Sequence, residues 1–166
     1  MARLQSSFPP PTLSVLDRLI DEDPEDQTPE AQLDYHSGLA RLRENVLRDM
    51  RWLLNARVGS LPSYRTEAED EEDPLIDTVT RLGLPDITTT DLKNHRQAEH
   101  LRRRIVDTIT RFEPRLDFVT VSGQEEGAGR GRTRFHIEAR LRVDPEPLKL
   151  SFDATVVWRN RTVEVG

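Results

Sequence analysis

The chain changes its hydrophobic period once, at Pro114, and that switch limits what it can fold into. Before Pro114, apolar residues recur every three or four positions, the spacing of one helix face. After it they alternate, the spacing of a strand with one buried side. Helices therefore come first and antiparallel strands second. The expected class is α+β, with N-terminal helices packed on one face of a small antiparallel C-terminal β-sheet.

The strongest helical stretch is Leu39, Leu42, Val46, Leu47, Met50, Leu53 and Leu54, an apolar stripe whose far side carries Arg41, Arg43, Glu44, Arg48, Asp49 and Arg51. It predicts a helix from about Ser37 to Arg57. A second long helix begins at Asp91, with Ala98, Leu101, Ile105, Ile109 and Phe112 inward. A short one follows Thr12, read as its N-cap, with Leu13, Leu16, Leu19 and Ile20 inward and Asp17 and Arg18 outward. Residues 75–82 fit one further short helix, closed by Gly83 at a C′ position.

Beyond Pro114, Leu116, Phe118, Val119 and Val121 read as a strand, and the Gly-rich stretch 123–131 as a hairpin loop. Phe135, Ile137, Ala139, Leu141 and Val143 alternate with Arg134, His136, Glu138, Arg140 and Arg142. Asp144-Pro145-Glu146-Pro147 makes a stiff turn, and Leu150, Phe152, Ala154, Val156 and Trp158 form another alternating strand before a short last one at 162–165. Residues 1–12, with prolines at 9, 10 and 11, read as an extended tail, and 13–166 as a single domain.

Composition removes several function classes. There are no cysteines, so disulfides, thiolate nucleophiles and Cys-based metal sites are excluded. A formal net charge of -6 argues against a general nucleic-acid binder. No stretch is apolar enough to span a membrane, and the N-terminus lacks a signal-peptide core, so a cytoplasmic protein without membrane insertion is expected. The acidic run Glu67-Ala68-Glu69-Asp70-Glu71-Glu72-Asp73 reads as solvated loop, with docking of a basic partner as the alternative. The four histidines fall in no metal-ligand spacing, and no nucleotide or nucleophile-elbow fingerprint is present. No cofactor is expected.

Glu113-Pro114-Arg115 stands at the period switch. Pro114 disfavours helical geometry at Glu113, so the chain should turn there. Glu113 then lies near a helix C-terminus, where the dipole opposes a negative charge by about 0.3–1 kcal/mol. A cation should offset it. Arg115 or Arg111 within the chain is one source. An ion pair across a subunit interface, with Arg115 giving its planar fork to a carboxylate, is the other. Arg134, Arg140 and Arg142 share one sheet face, read either as a solvated outer face or as a basic surface meeting an acidic partner. No aromatic is expected among those charges, which weighs against RNA binding. The edges of so small a sheet could accept a strand from another chain.

Five stretches in order carry a resemblance: Ser14-Val15-Leu16-Asp17-Arg18-Leu19, Val46-Leu47-Arg48-Asp49-Met50-Arg51-Trp52-Leu53-Leu54-Asn55, Leu82-Gly83-Leu84-Pro85-Asp86, Arg111-Phe112-Glu113-Pro114-Arg115-Leu116 and Phe135-His136-Ile137-Glu138-Ala139. Together they resemble the small baseplate subunit family of type VI secretion systems, part of the contractile-phage baseplate wedge family. The chain departs from that family at Arg81-Leu82, in its proline-rich start and in the acidic run. The resemblance implies a non-catalytic assembly part. Its partners would be large baseplate wedge subunits and the contractile sheath, in a baseplate docked near the inner membrane. It also implies that Glu113, Pro114 and Arg115 form the core of a wedge interface. Charge reversal at Glu113 or Arg115 should then disrupt assembly while leaving the isolated fold intact. Phage relatives have been described as lysozyme-like, but no second carboxylate is singled out beside Glu113, and the flanking arginines would lower its pKa, opposite to the need of a general acid. An anti-adaptor of the same fold family, binding a single response regulator, is the alternative reading.

Overall fold

The computed structural model describes residues 8–20, 34–58, 81–85, 95–126, 132–157 and 162–166. Three helices come first: α1 (Val15–Leu19), α2 (Tyr35–Asn55) and α3 (His95–Phe112). Four strands follow: β1 (Leu116–Glu126), β2 (Arg132–Leu141), β3 (Leu148–Val157) and β4 (Thr162–Val165). They form one antiparallel meander in the order β1-β2-β3-β4. The helices pack on one face of that sheet, so the α+β class read from the period switch holds.

Each long helix buries the stripe its spacing predicts. Leu42, Val46, Met50, Leu53 and Leu54 of α2 meet Ala98, Leu101, Ile105 and Ile109 of α3. The inner sheet face adds Phe135, Ile137, Ala139 and Leu141 from β2, with Leu150, Phe152, Ala154 and Val156 from β3. Strict alternation on β2 and β3 keeps this face dry while the charged residues stay outside. Asp34 caps α2 by accepting from the Ser37 backbone N–H at 2.8 Å. Helix α2 thus starts two residues before Ser37 and ends at Asn55.

Between the long helices, Leu84 is buried and pairs with the end of α2. Its N–H donates to Ala56 O at 3.0 Å, and its carbonyl accepts from Val58 N at 3.1 Å. Gly83 precedes it with φ +101°, and an added Cβ there would lie 2.3 Å from Ala56 O. Only glycine fits that backbone and that approach. The short helix expected at 75–82 lies outside the described residues except for Arg81 and Leu82, as do Asp91 and Trp158.

Two strand boundaries differ from expectation: β2 ends at Leu141, two residues before Val143, and β1 runs longer. β1 continues through Gly123 to Glu126, residues assigned above to the loop, because the ladder persists to Glu126 opposite Thr133. Its register also shifts between Asp117 and Thr120. There Phe118 takes φ +50°, and its side chain is 72% exposed. A bulge therefore turns Phe118 to the outer face, and Val119 packs against the core instead. The Asp144–Pro145 bond in the β2–β3 connection is cis.

Around helix α1, Leu13 packs against the core and Arg18 is exposed as expected, but Leu16 and Leu19 exchange sides with Asp17. Ser14, not Thr12, is the N-cap of α1, and Ser14 and Asp17 form a reciprocal capping box. Asp17 is buried at 2% exposure, whereas Val15, Leu16 and Leu19 are 73, 49 and 75% exposed. Facing Leu16 and Leu19 outward forgoes about 1.5–3 kcal/mol for each relative to full burial. An ion-pair cluster around Asp17 accounts for that choice.

Candidate functional site

The cluster is built where α1, α2 and the α3–β1 corner meet. Helix α3 ends at Phe112, and the Glu113 N–H still donates to Ile109 O at 2.9 Å. Pro114 turns the chain out, and the Leu116 N–H donates to Glu113 O at 3.1 Å, closing the turn. The turn places the Arg115 side chain back over Glu113. Arg115 Nε donates to Glu113 Oε1 and Nη2 to Glu113 Oε2, both at 2.6 Å. The Arg115 backbone N–H reaches Oε1 as well, at 3.2 Å. Of the two sources of offset for Glu113, the one present is the intrachain fork from Arg115.

The guanidinium does not stop there. Arg115 Nη2 also donates to Asp49 Oδ2 of α2 at 2.5 Å, and Nη1 faces Asp17 Oδ2 at 3.5 Å. Arg48, one position before Asp49, donates through Nη2 to Asp17 Oδ1 at 2.5 Å and to Asp49 Oδ1 at 2.8 Å. Three carboxylates and two guanidinia thus form one connected set. Hydrogen bonds to Glu113, and then to Asp49, raise the Arg115 pKa although burial opposes it. Burial works against the charge on Asp17, but hydrogen bonds from Ser14 and Arg48, with Arg115 nearby, hold its carboxyl below the ordinary value.

Glu113 is only 4% exposed. Reversing the charge at Arg115 would strand the buried Glu113 carboxylate, and reversing it at Glu113 would set a cation against the half-buried Arg115 guanidinium, so the expectation of an intact isolated fold does not survive the geometry. Asp17, Arg48 and Asp49 were not singled out from the sequence. The spacing of Ser14 and Asp17 was the one available signal, since Ser-x-x-Asp at a helix start fits a capping box.

Arg134, Arg140 and Arg142 do share the outer sheet face, apart from this cluster. Arg140 and Arg142 both engage Asp117, at 2.8 and 3.4 Å, and Arg134 lies 4.0 Å from Asp153. Lys149 pairs with Glu138 at 3.0 Å, His136 with Asp153 at 2.9 Å, and Arg132 with Glu164. The face is a ladder of mixed charge. Hydrogen bonding from Arg140 lowers the Asp117 pKa, and from Lys149 that of Glu138. Contrary to expectation, an aromatic does lie here. Phe118 stands outside with the Arg140 guanidinium 3.9 Å from its ring centroid. The two candidate sets touch through the backbone, where the Arg142 N–H donates to Arg115 O at 2.8 Å.

The two sheet edges differ. In β4 the Val163 N–H donates to Asn55 Oδ1 and the Val163 carbonyl accepts from Asn55 Nδ2, both at 2.8 Å. Arg51 Nε donates to Val165 O at 2.9 Å. Side chains from the last turns of α2 thus occupy the outer backbone groups of β4. Among the described residues no group of three or more His, Cys, Asp or Glu could hold a metal ion. No described helix is long and apolar enough to cross a membrane.

The family described as baseplate wedge protein gp25 matches residues 40–146. A comparison with curated proteins finds no match. One chain in a solved structure, described as the baseplate complex from the type VI secretion system, is similar at 25% identity and a TM-score of 0.44, covering 68% of this chain and 93% of that one.

Proposed function

The chain belongs to the baseplate wedge protein gp25 family, and from that premise we propose that it is a structural subunit of a type VI secretion baseplate, joining the wedge and templating the contractile sheath. The type VI assignment within the family rests on the ordered stretches from Ser14 to Ala139. The subunit acts by holding surfaces in place, without catalysis. Its large wedge partners meet the corner of Glu113, Pro114 and Arg115, and its sheath partner meets the sheet, with Arg134, Arg140 and Arg142 along the outer face. The baseplate lies at the cytoplasmic side of the inner membrane.

The observation that carries the sheath reading is the asymmetry of the sheet edges. A sheath strand adding to this sheet needs an edge with open backbone groups. Asn55 and Arg51 occupy that edge on β4. β1 is the other edge of the meander. Beside it Phe118 stands 72% exposed, backed by Arg140, where it can pack against an incoming strand.

The test is co-expression with the cognate large wedge subunits, then size-exclusion chromatography and hydrogen exchange with purified sheath subunits added. A stable complex is expected, with sheath-dependent protection along residues 116–123 and none gained at 162–165. Protection gained at β4 instead would move the sheath contact. A folded chain that joins no baseplate subunit but binds a response-regulator receiver domain would replace this reading with the anti-adaptor one.

A further inference from the structure

The segment from Phe8 to Ile20 runs along α2 as a strap tied down at few points. The Phe8 and Tyr35 rings are 6.1 Å apart, Pro10 and Pro11 approach within 3.0 Å of where a Cβ on Gly38 would lie, and Leu13 packs against the core. Along residues 8–20 Asp17 is the one buried residue, while Val15, Leu16 and Leu19 are exposed. The backbone bonds of α1 run within it: Arg18 N–H donates to Ser14 O at 3.2 Å and Ile20 N–H to Leu16 O at 3.0 Å. A five-residue helix has no stability of its own. A segment with so few buried apolar contacts belongs to the low end of local stability. Asp17 is where its cap and its tether coincide. Oδ2 accepts from the Ser14 backbone N–H at 3.1 Å, and Oδ1 accepts from Arg48 Nη2 at 2.5 Å.

The charge count shows why Asp17 can leave. The cluster holds three carboxylates, Asp17, Asp49 and Glu113, on two guanidinia. Without Asp17 it holds two on two. Arg115 then keeps both Glu113 oxygens and Asp49, and Arg48 keeps Asp49 through Nε and Nη2. The buried Glu113 loses no partner, and Asp17 passes into water, so no buried charge is stranded. Two donors beside Asp17 are also short of acceptors. Arg115 Nη1 and Asn45 Nδ2 are buried and make no hydrogen bond among the described residues. Nη1 faces Asp17 Oδ2 at 3.5 Å, and the Asn45 amide adjoins Arg48, whose Nη1 donates to Asn45 Oδ1 at 3.5 Å. A buried donor without an acceptor costs free energy. Asp17 therefore holds this place incompletely, and a carboxylate that reached both donors would fill it better.

We propose that Phe8–Ile20 is a latch: it opens as one unit while α2, α3 and the sheet stay folded, and while closed its Asp17 covers the Arg48 and Arg115 guanidinia against an acidic side chain of another protein. The covering role rests on the reading of the Glu113–Arg115 corner as a wedge contact; the opening does not. In the open state Arg48 and Arg115 present their Nη edges, with the Asn45 amide beside them, to the incoming carboxylate. The strap is then a competitor carried inside the chain. Its docking free energy is subtracted from that of any partner that needs the corner uncovered.

Hydrogen exchange of the full chain reads the latch directly. In wild type the Asp17, Arg18 and Ile20 amides should exchange together, faster than those of Val46, Met50 and Ile137, and at a rate that urea well below the unfolding midpoint hardly changes. Asp17→Asn should speed the three strap amides by about tenfold or more while α2 and β2 stay protected. Ser14→Ala, which loosens the cap and touches neither arginine, should speed them by a smaller factor. If the strap amides exchange only at the rate of the core amides in all three proteins, the strap is no separate unit and the latch is wrong. Wild type and Asp17→Asn are then titrated against the purified large wedge subunits by size-exclusion chromatography. Although less stable, Asp17→Asn should bind more tightly, by about the factor by which its strap exchange rises. In the wild-type complex the strap amides should exchange faster than in the free chain. Equal or weaker binding by Asp17→Asn, or strap amides slowed in the complex, overturns the covering role. If both proteins are folded and neither forms a complex, the wedge reading fails and the covering role with it, while exchange in the free chain still decides the opening.

Discussion

Asp17 shows how one side chain can overrule the hydrophobic pattern around it. Its carboxylate accepts from Ser14 and Arg48 and faces the Arg115 guanidinium at 3.5 Å, which outweighs turning Leu16 and Leu19 inward. Because its pKa in the folded chain lies below the ordinary value of 3.8, folding is stabilised by Asp17 above that value. The contribution is lost as pH falls through the lower, folded pKa. In urea titrations, Asp17→Asn should be less stable than wild type at neutral pH by about 3 kcal/mol, the low end for breaking a buried pair. The gap should close on acidification below about pH 4. A gap that stays constant down to pH 2 would show that the carboxylate charge contributes nothing.

At the scale of elements, the strands and helices depend on each other through backbone groups as well as core packing. β4 has only four residues, too few to hold a sheet edge alone. Asn55 acts as a substitute strand for Val163, pairing with its N–H and carbonyl together. Asn55→Ala should cost about 1 kcal/mol for the lost bonds. It should also speed hydrogen exchange of the Val163 amide far more than amides of β2. Unchanged exchange at Val163 would mean that water serves that edge equally well. The same variant opens a second edge to strand addition, so it should also raise the tendency to self-associate.

For the whole molecule, the ion cluster is the place where three separate parts of the chain are joined. Arg115 at the start of the sheet touches Glu113 at the end of α3, Asp49 of α2 and, more distantly, Asp17 of the strap. Removing it leaves Glu113 buried and unpaired. Arg115→Ala should therefore destabilise the chain by about 3–5 kcal/mol in denaturant unfolding. Arg115→Lys should recover part of that, since an ammonium can serve one carboxylate but not a planar fork and Asp49 together. A loss of wedge binding in either variant then has to be read against the loss of fold.

The order of elements, the buried faces of α2, α3, β2 and β3, and the turn at Pro114 were determined by the sequence alone. Each depends on spacing within a few residues: a helical or a two-residue period, and a proline that fixes its own backbone. The candidate trio Glu113, Pro114 and Arg115 was legible for the same reason, as a local conflict between charge and helix end. What the tertiary structure decided is which groups meet across the chain. Arg48 finds Asp17 at a separation of 31 residues, Arg115 finds Asp49 at 66, Asn55 finds Val163 at 108 and Arg51 finds Val165 at 114. No periodicity reports such pairs. They form because a buried charge or an open strand edge costs free energy until a partner reaches it, and only the packed helices and sheet bring the partners within reach. The outward turn of Leu16 and Leu19 and the closed edge of β4 follow from that, and so does the choice of surfaces the chain leaves open.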